Sequence, residues 1–156
     1  MIVQAYRIAR AEYAASAFTG EGADQFGGRW NSPGAPVVYM AGHASLAVLE
    51  MLAQLKMHDW LKEFVLFEAS FDDDLLTVVP ASRLSPDWRK VPGPQMLLEI
   101  GDDWIASRKS AVLKVPSAVV PSEWNYLLNP RHPQFAKIKI ELEEPFKFDP
   151  RLIKMS

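Results

Sequence analysis

The fold class is indicated most directly by the stretch PVVYMAGHASLAVLEMLAQL, residues 36–55. Residues 36–40 form a short apolar run, which predicts a buried strand. A helix is predicted from about residue 44 to residue 55, with His43 near its start. A buried strand followed closely by an apolar helix is typical of a domain that combines sheet and helix around one core.

More strands than helices are predicted on either side of this stretch. The runs that predict strands cover residues 3–8, 63–71, 75–79, 111–115 and 137–142, with a final edge strand over 146–148. The alternation over 137–142 is clean and places Ile138, Ile140 and Leu142 on the inward face of its strand. These patterns predict a mixed α+β domain.

The remaining segments are predicted as helices or loops. A short helical piece is expected over residues 12–18 and a second helix over 94–107, where Pro94 suits the first position of a helix. Two segments, residues 19–34 and 116–130, are rich in glycine or proline and are predicted as loops.

The composition describes an ordinary globular protein. The chain has 156 residues and a mass of 17.5 kDa, which predicts a single domain over residues 1–156. Hydrophobic residues make up 49% and charged residues 23%, which argues against disorder. No apolar segment approaches the length needed to cross a membrane, so a cytoplasmic location is expected.

Several classes of chemistry are excluded or made less favourable by residue content. The chain has no cysteine, which excludes a disulfide framework, a cysteine nucleophile and a cysteine-ligated metal. Its three histidines match no metal-ligand spacing, so no metal site is predicted. The motif GxSxG is absent, which removes the usual nucleophile elbow. A net charge of −2 argues against a general nucleic-acid surface.

Arg29 follows two glycines and is a candidate for binding an anion. Gly27 and Gly28 allow a close approach of the backbone, and arginine suits bidentate contacts with phosphate or carboxylate. The earlier run GEGADQ, residues 20–25, lacks the third glycine of a dinucleotide fingerprint, so a Rossmann site is not predicted. The alternative is a flexible surface loop with a solvated arginine.

Glu50 lies in a mostly apolar helical stretch and needs either a partner or access to water. A buried carboxylate has a raised pKa and often a functional role, whereas a glutamate at the helix edge simply reaches solvent. Tyr39 either places its ring or hydroxyl in a cleft with Glu50, or belongs to the core with its hydroxyl satisfied. Trp124, Asn125 and Tyr126 either stack on a bound ring or anchor their loop to the core.

A set of short motifs occurs in a characteristic order along the chain. They are GRWN at residues 28–31 with Gly34 after it, then Tyr39, Ala47 and Glu50, then Pro116 and Ser117, and last NYLLNP at residues 125–130. Together these motifs resemble the RES domain family, which is named for its Arg, Glu and Ser. The resemblance covers essentially the whole chain, and its specificity comes from GRWN and NYLLNP occurring together.

The resemblance implies a fold, a substrate and a set of site residues. The fold is a compact single α+β domain related to ADP-ribosyltransferase toxins, with central, mostly antiparallel β-sheets and flanking helices. The substrate is NAD, with no cofactor and no metal ion. Carried over by position, the catalytic residues are Arg29, Tyr39, Glu50 and Ser117, and the residues that bind NAD are Arg7, Gly28 and Asn125.

The residues and the resemblance agree on the chemistry. NAD carries a pyrophosphate, which suits the glycine-rich loop and Arg29. Cleavage of the nicotinamide–ribose bond builds oxocarbenium character on the ribose, which Glu50 is expected to stabilise. Tyr39 is expected to stack on nicotinamide or contact its ribose, and Ser117 to hydrogen-bond the ribose or the carboxamide. Hydrolysis, phosphorolysis and ADP-ribosyl transfer stay open at this point.

The same resemblance implies a biological setting. The chain is expected to be the toxin of a bacterial toxin–antitoxin pair, because an enzyme that consumes NAD would poison its own cell. An Xre-type antitoxin is expected to block the cleft and to make the DNA contacts, and self-association is expected within the complex.

Two other functions remain in competition with that hypothesis. A non-catalytic module that binds a nucleotide or a partner is one, supported by Trp88, Trp104 and Trp124 if they are exposed. A toxin that cleaves RNA is the other, and the net charge of −2 and the lack of a histidine acid–base pair argue against it.

Overall fold

The computed structural model describes residues 1–56 and 58–153, which form seven strands and three α-helices together with short 3-10 segments. The strands are β1 (Ile2–Arg10), β2 (Val38–Ala41), β3 (Phe64–Asp72), β4 (Leu76–Val78), β5 (Val112–Pro116), β6 (Trp124–Leu128) and β7 (Lys139–Phe146). The helices are α1 (Glu21–Phe26), α2 (Ala44–Gln54) and α3 (Gln95–Ser107). None of the helices in these two ranges is both long enough and apolar enough to cross a membrane.

All seven strands belong to one sheet that is weakly joined in its middle. The strand order is β4-β5-β6-β2-β1-β3-β7, and every pair is antiparallel except β4 with β5. β1 pairs with β3 along its whole length, but it meets β2 only at Tyr6 and Ala41. The sheet therefore opens into two halves between β1 and β2.

Helices α2 and α3 cover the same face of the sheet, one on each half. Leu46 of α2 packs with Ile8 and Phe64, while Leu97 of α3 packs with Trp30 and Leu127. The shared face follows from strand geometry, because residues two apart in a strand point the same way. Within β6, Leu127 packs toward α3, and Asn125 contacts a side chain of α2. The line between the two helices is the region where candidate site residues meet.

The predicted α+β class and its mostly antiparallel sheet are confirmed. The strands predicted over 3–8, 63–71 and 111–115 are present, and so are the helices predicted over 44–55 and 94–107, each with small shifts of its ends. The piece predicted as a helix over 12–18 is a 3-10 segment, Ala11–Ser16, and the strand predicted over 75–79 shortens to β4.

Three predictions were wrong. The first loop, residues 19–34, contains α1, whose six residues are too few for a clear helical period. The second loop, 116–130, contains the central strand β6, whose flanking prolines and polar residues imitate a loop. β7 is one strand instead of two pieces. Its pairing with β3 shifts register between Ile140 and Leu142, so these two residues do not share an inward face, and Ile140 is 51% exposed.

Candidate active site

Glu50 is held through both of its carboxylate oxygens. The Ser117 hydroxyl donates a hydrogen bond of 2.7 Å to Oε1, and the Asn125 amide donates one of 3.0 Å to Oε2. Helix α2 directs Glu50 inward because it lies one turn after Leu46 and Ala47, which are buried on the sheet. Three separate elements thus meet at one carboxylate, which is the kind of fixed charge that catalysis at a cationic centre requires.

Ser117 has no remaining hydrogen-bonding capacity. Its side chain is completely buried, directly after β5, and its hydroxyl accepts bonds of 3.1 Å from the amides of Val119 and Val120. With Glu50 as its acceptor, the hydroxyl uses its one hydrogen and both lone pairs within the protein. The geometry therefore favours Ser117 as the residue that orients Glu50, in preference to a direct contact with substrate.

Asn125 connects the carboxylate to the sheet. Its amide nitrogen donates to Met40 O at 3.3 Å on the adjacent strand, in addition to Glu50. Asn125 pairs with Ala41 in β2 and with Val115 in β5, so its backbone position is fixed from both sides. A residue held this firmly restricts the orientation of the Glu50 carboxylate.

The site raises the pKa of Glu50 above the ordinary value for glutamate. Desolvation by burial is the largest cause. The hydrogen bonds from Ser117 and Asn125 act in the opposite direction because they stabilise the charged form, and the positive charge of Arg29 adds to them. Glu50 is therefore a buried carboxylate whose ionised form depends on three named partners.

Arg29 is fixed by backbone carbonyls and has no carboxylate salt bridge among the described residues. Its Nη2 donates to Trp88 O at 2.5 Å and to Lys90 O at 3.0 Å. Its Nε is buried without a hydrogen-bond partner. Burial lowers the pKa of Arg29, and the negative charge of Glu50 opposes that effect. The charges of Arg29 and Glu50 therefore interact across the site.

Tyr39 holds the turn that carries Arg29. Its hydroxyl donates to Asn31 Oδ1 at 2.6 Å and accepts from the Trp30 amide at 3.1 Å, and burial raises its pKa. A Cβ atom built on Gly28 would lie 2.5 Å from the Tyr39 hydroxyl, so glycine is needed at that position for the turn to close on the ring. Of the two interpretations of Tyr39, the satisfied hydroxyl describes the structure.

Arg7 lies in the opening between the two halves of the sheet. Its Nη1 donates to Tyr39 O at 3.0 Å, although the strands β1 and β2 pair only at Tyr6. None of the ion pairs between described residues includes Arg7, its Nε has no partner, and burial lowers its pKa. A buried guanidinium without a counterion is well placed to receive an anionic group.

The predicted residues form two connected groups. Glu50, Ser117 and Asn125 are joined by hydrogen bonds, while Gly28, Arg29, Tyr39 and Arg7 are linked around the turn at residues 28–31. The charges of Arg29 and Glu50 connect the groups. Within residues 1–56 and 58–153, His, Asp and Glu side chains form no group of three or more that could hold a metal ion.

Asn31 is a residue that sequence reasoning did not assign to the site. It is buried, accepts the hydrogen bond from Tyr39, and donates to Ala23 O and Ser32 O at 3.1 and 3.0 Å. It therefore ties α1 to the turn that carries Arg29. Its position within the GRWN motif is the only sequence signal that points to Asn31, and nothing in the sequence indicates that it contacts Tyr39.

The chain is similar to known proteins over nearly its whole length. The family model described as "RES domain" matches residues 4–149. The chain is 40% identical over 148 residues to "Toxin Res" of Yersinia enterocolitica, covering 94% of this chain and 97% of that protein. It is 34% identical over 145 residues to the "Prs ADP-ribosylating toxin" of Sphingobium sp., covering 91% and 90%.

The fold has a counterpart among solved structures. A chain in the crystal structure of the M. tuberculosis MbcT–MbcA toxin–antitoxin complex matches with a TM-score of 0.68 and 18% identity. The match covers 94% of this chain and 85% of that chain. At this identity, the match establishes a shared fold.

Proposed function

Since this chain belongs to the RES domain family, we propose that it is the toxin of a bacterial toxin–antitoxin pair and that it cleaves the nicotinamide–ribose bond of NAD. The names of its relatives, "Toxin Res" and "Prs ADP-ribosylating toxin", support this function. The single observation that carries it is the Glu50 carboxylate, which Ser117 and Asn125 hold near the charge of Arg29.

The fixed carboxylate matches the charge that develops in this reaction. When the bond from ribose C1′ to nicotinamide breaks, both bonding electrons leave with nicotinamide and positive charge grows on the ribose. An oriented carboxylate stabilises that charge without reorganisation of its surroundings. Glu50 is also proposed to hold the ribose hydroxyls or an incoming nucleophile. The acceptor is water, phosphate or a protein group, and each is a distinct outcome of the experiment below.

The arginines suit the other end of the substrate. NAD carries two negative charges on its pyrophosphate, and guanidinium groups bind phosphate oxygens through charge-assisted hydrogen bonds. Arg29 extends from the turn closed by Tyr39, and Arg7 lies in the opening of the sheet with its Nε unpartnered. Arg29 and Arg7, with the exposed backbone of Gly28, form the proposed binding surface for NAD.

A partner protein completes the proposal. An enzyme that depletes NAD must be silenced in the cell that makes it, so an Xre-type antitoxin is proposed to cover the site and to contact DNA. Self-association within that complex and a cytoplasmic location are parts of the same proposal. The MbcT–MbcA structure, which is titled as a toxin–antitoxin complex, supports the existence of a partner.

Release of nicotinamide is the direct test of this function. Purified protein mixed with NAD is expected to release free nicotinamide, measured by chromatography, with water, phosphate or lysate protein as acceptor. Mass spectrometry of the second product distinguishes ADP-ribose, its 1″-phosphate and a modified protein. Intact NAD with all three acceptors would contradict the proposal. RNA degraded while NAD stays intact, or NAD bound without turnover, would favour one of the competing functions.

The activity is expected to fall in acid at a higher pH than an ordinary glutamate would give. Glu50 must be ionised to stabilise positive charge, and burial raises its pKa, so the acid limb of kcat/KM is expected above the pH range in which an ordinary glutamate titrates. Ser117→Ala removes a hydrogen bond that lowers this pKa, so the limb is expected to move to still higher pH. The measurement is kcat/KM for NAD as a function of pH.

The exposed Ser122 supplies the control for that experiment. Ser122→Ala is expected to leave the pH profile unchanged. An acid limb that lies at the same pH in Ser117→Ala as in the wild type would show that the Ser117 hydroxyl does not lower the pKa of Glu50.

A further inference from the structure

The segment of residues 85–90 is a folded turn with a firm anchor. The Trp88 amide donates to Ser85 O at 3.1 Å, and the Lys90 amide donates to Asp87 O at 3.0 Å. The Trp88 ring is buried in the core beneath α3, where it packs with Leu97. The backbone of this turn is therefore held in place from two sides.

Arg89 lies in this turn between two residues whose backbone carbonyls contact Arg29. The carbonyls of Trp88 and Lys90, one on each side of Arg89, both accept from Arg29 Nη2. Arg89 itself reaches in another direction, because its Nε donates to Ala118 O at 2.9 Å. Ala118 follows Ser117, which holds Glu50. Arg89 thus spans from the residues that fix Arg29 to the loop that fixes Glu50.

Two guanidinium groups come near each other here without a carboxylate to neutralise Arg89. The charge of Arg89 contributes to lowering the pKa of Arg29, although burial is the larger cause. Among the described residues, no hydrogen bond or ion pair occupies the two Nη groups of Arg89, and the residue is exposed. Two like charges near each other, of which Arg89 is exposed to solvent, favour an anion between or beside them.

We infer that Arg89 is a second arginine that binds substrate and that its Nη groups contact the pyrophosphate of a dinucleotide together with Arg29. This inference rests on the proposed function, since NAD supplies the pyrophosphate. Pyrophosphate fits because it presents several charged oxygens over the span of two guanidinium groups, and the two Nη groups of Arg89 can bind such oxygens as a fork. Arg89 is not among the residues that the family resemblance assigns.

Calorimetric binding of ADP-ribose tests this role without requiring turnover. ADP-ribose carries the pyrophosphate and lacks nicotinamide, so it keeps the anion without the bond that is cleaved. Arg89→Gln is expected to weaken its binding about tenfold or more, as for loss of a charge-assisted hydrogen bond, and to raise the KM for NAD by a similar factor with kcat nearly unchanged. Arg83→Gln, an exposed arginine in the preceding 3-10 segment, is the matched control and is expected to bind like the wild type.

Arg89→Lys separates binding from a structural tie between the two loops. Lysine keeps the charge, so it is expected to recover part of the affinity for ADP-ribose, and thermal unfolding of both variants is expected to match the wild type. An equal loss of ADP-ribose affinity in Arg89→Lys and Arg89→Gln, with lowered Tm and kcat, would show that Arg89 only links the two loops and does not bind substrate. Unchanged affinity in Arg89→Gln, or no binding of ADP-ribose by the wild type, would overturn the inference. If the wild type cleaves NAD while Arg89→Gln binds ADP-ribose as tightly as the wild type, the inference about Arg89 fails and the proposed function is unaffected.

Discussion

Glu50→Gln is expected to lower the rate of NAD cleavage by about a thousandfold while the protein stays folded. The substitution keeps the shape of the side chain and removes its charge, so the growing positive charge on ribose loses its oriented counterion. The new amide also fits its neighbours poorly, because Ser117 and Asn125 both donate to Glu50 and one of them would then face an NH₂ group. The measurements are the rate of nicotinamide release and the thermal unfolding curve.

Glu99→Gln is the matched control for this experiment, since Glu99 is an exposed glutamate on helix α3. It is expected to retain full activity. Expression without a partner protein gives a second readout, in which Glu50→Gln is expected to permit growth that the wild type arrests. If Glu50→Gln kept more than a tenth of the wild-type rate, another group would have to stabilise the charge.

The sequence could identify Glu50 as an unusual residue but could not identify its partners. A carboxylate on an apolar helical stretch predicts either a partner or solvent, and the structure shows two partners. Those partners, Ser117 and Asn125, lie 67 and 75 positions further along the chain. They reach Glu50 only because β5 and β6 pair next to β2, which no local pattern encodes. Family resemblance, in contrast, named both residues directly.

Local patterns were most successful where one physical signal dominated. The period of α3 is strong because the helix buries one side against the core, and the apolar residues of β3 are dense because both of its faces are covered. β6 was missed because it is short and flanked by residues typical of turns. The opening between β1 and β2 is a property of pairing between strands, so the place of Arg7 could not be derived from residue order.

The interpretation of Tyr39 shows a different limit. A tyrosine in a strand next to a cleft is compatible with substrate contact and with a satisfied hydroxyl. The choice depends on Asn31 and Trp30, which bind that hydroxyl from within the turn at residues 28–31. Tyr39 therefore supports Arg29 through this turn, while a direct contact with NAD stays a prediction for its ring.

Gly101→Ala is expected to destabilise the protein by about 3 kcal/mol, as for severe overpacking of a core. A Cβ atom built on Gly101 would overlap the carbonyl oxygen of Trp30, so helix α3 and the turn at residues 28–31 must separate. The helix cannot retreat freely, because Asp102 accepts bonds of 2.9 and 2.6 Å from the amide and hydroxyl of Ser32. Since Trp30 follows Arg29, the same displacement is expected to reduce activity.

The size and the sign of that effect distinguish it from helix propensity. In a helical position with free space around it, substitution of glycine by alanine stabilises the protein by up to about 1 kcal/mol. Gly22→Ala on α1 is the control, because a Cβ atom built on Gly22 meets nothing within 4 Å. Thermal unfolding is expected to show Tm lowered by roughly 6–12 °C in Gly101→Ala and unchanged or raised in Gly22→Ala. Nicotinamide release is expected to fall only in Gly101→Ala. Equal Tm values for the two variants would mean that α3 does not pack closely on the Trp30 carbonyl and does not fix the turn that carries Arg29.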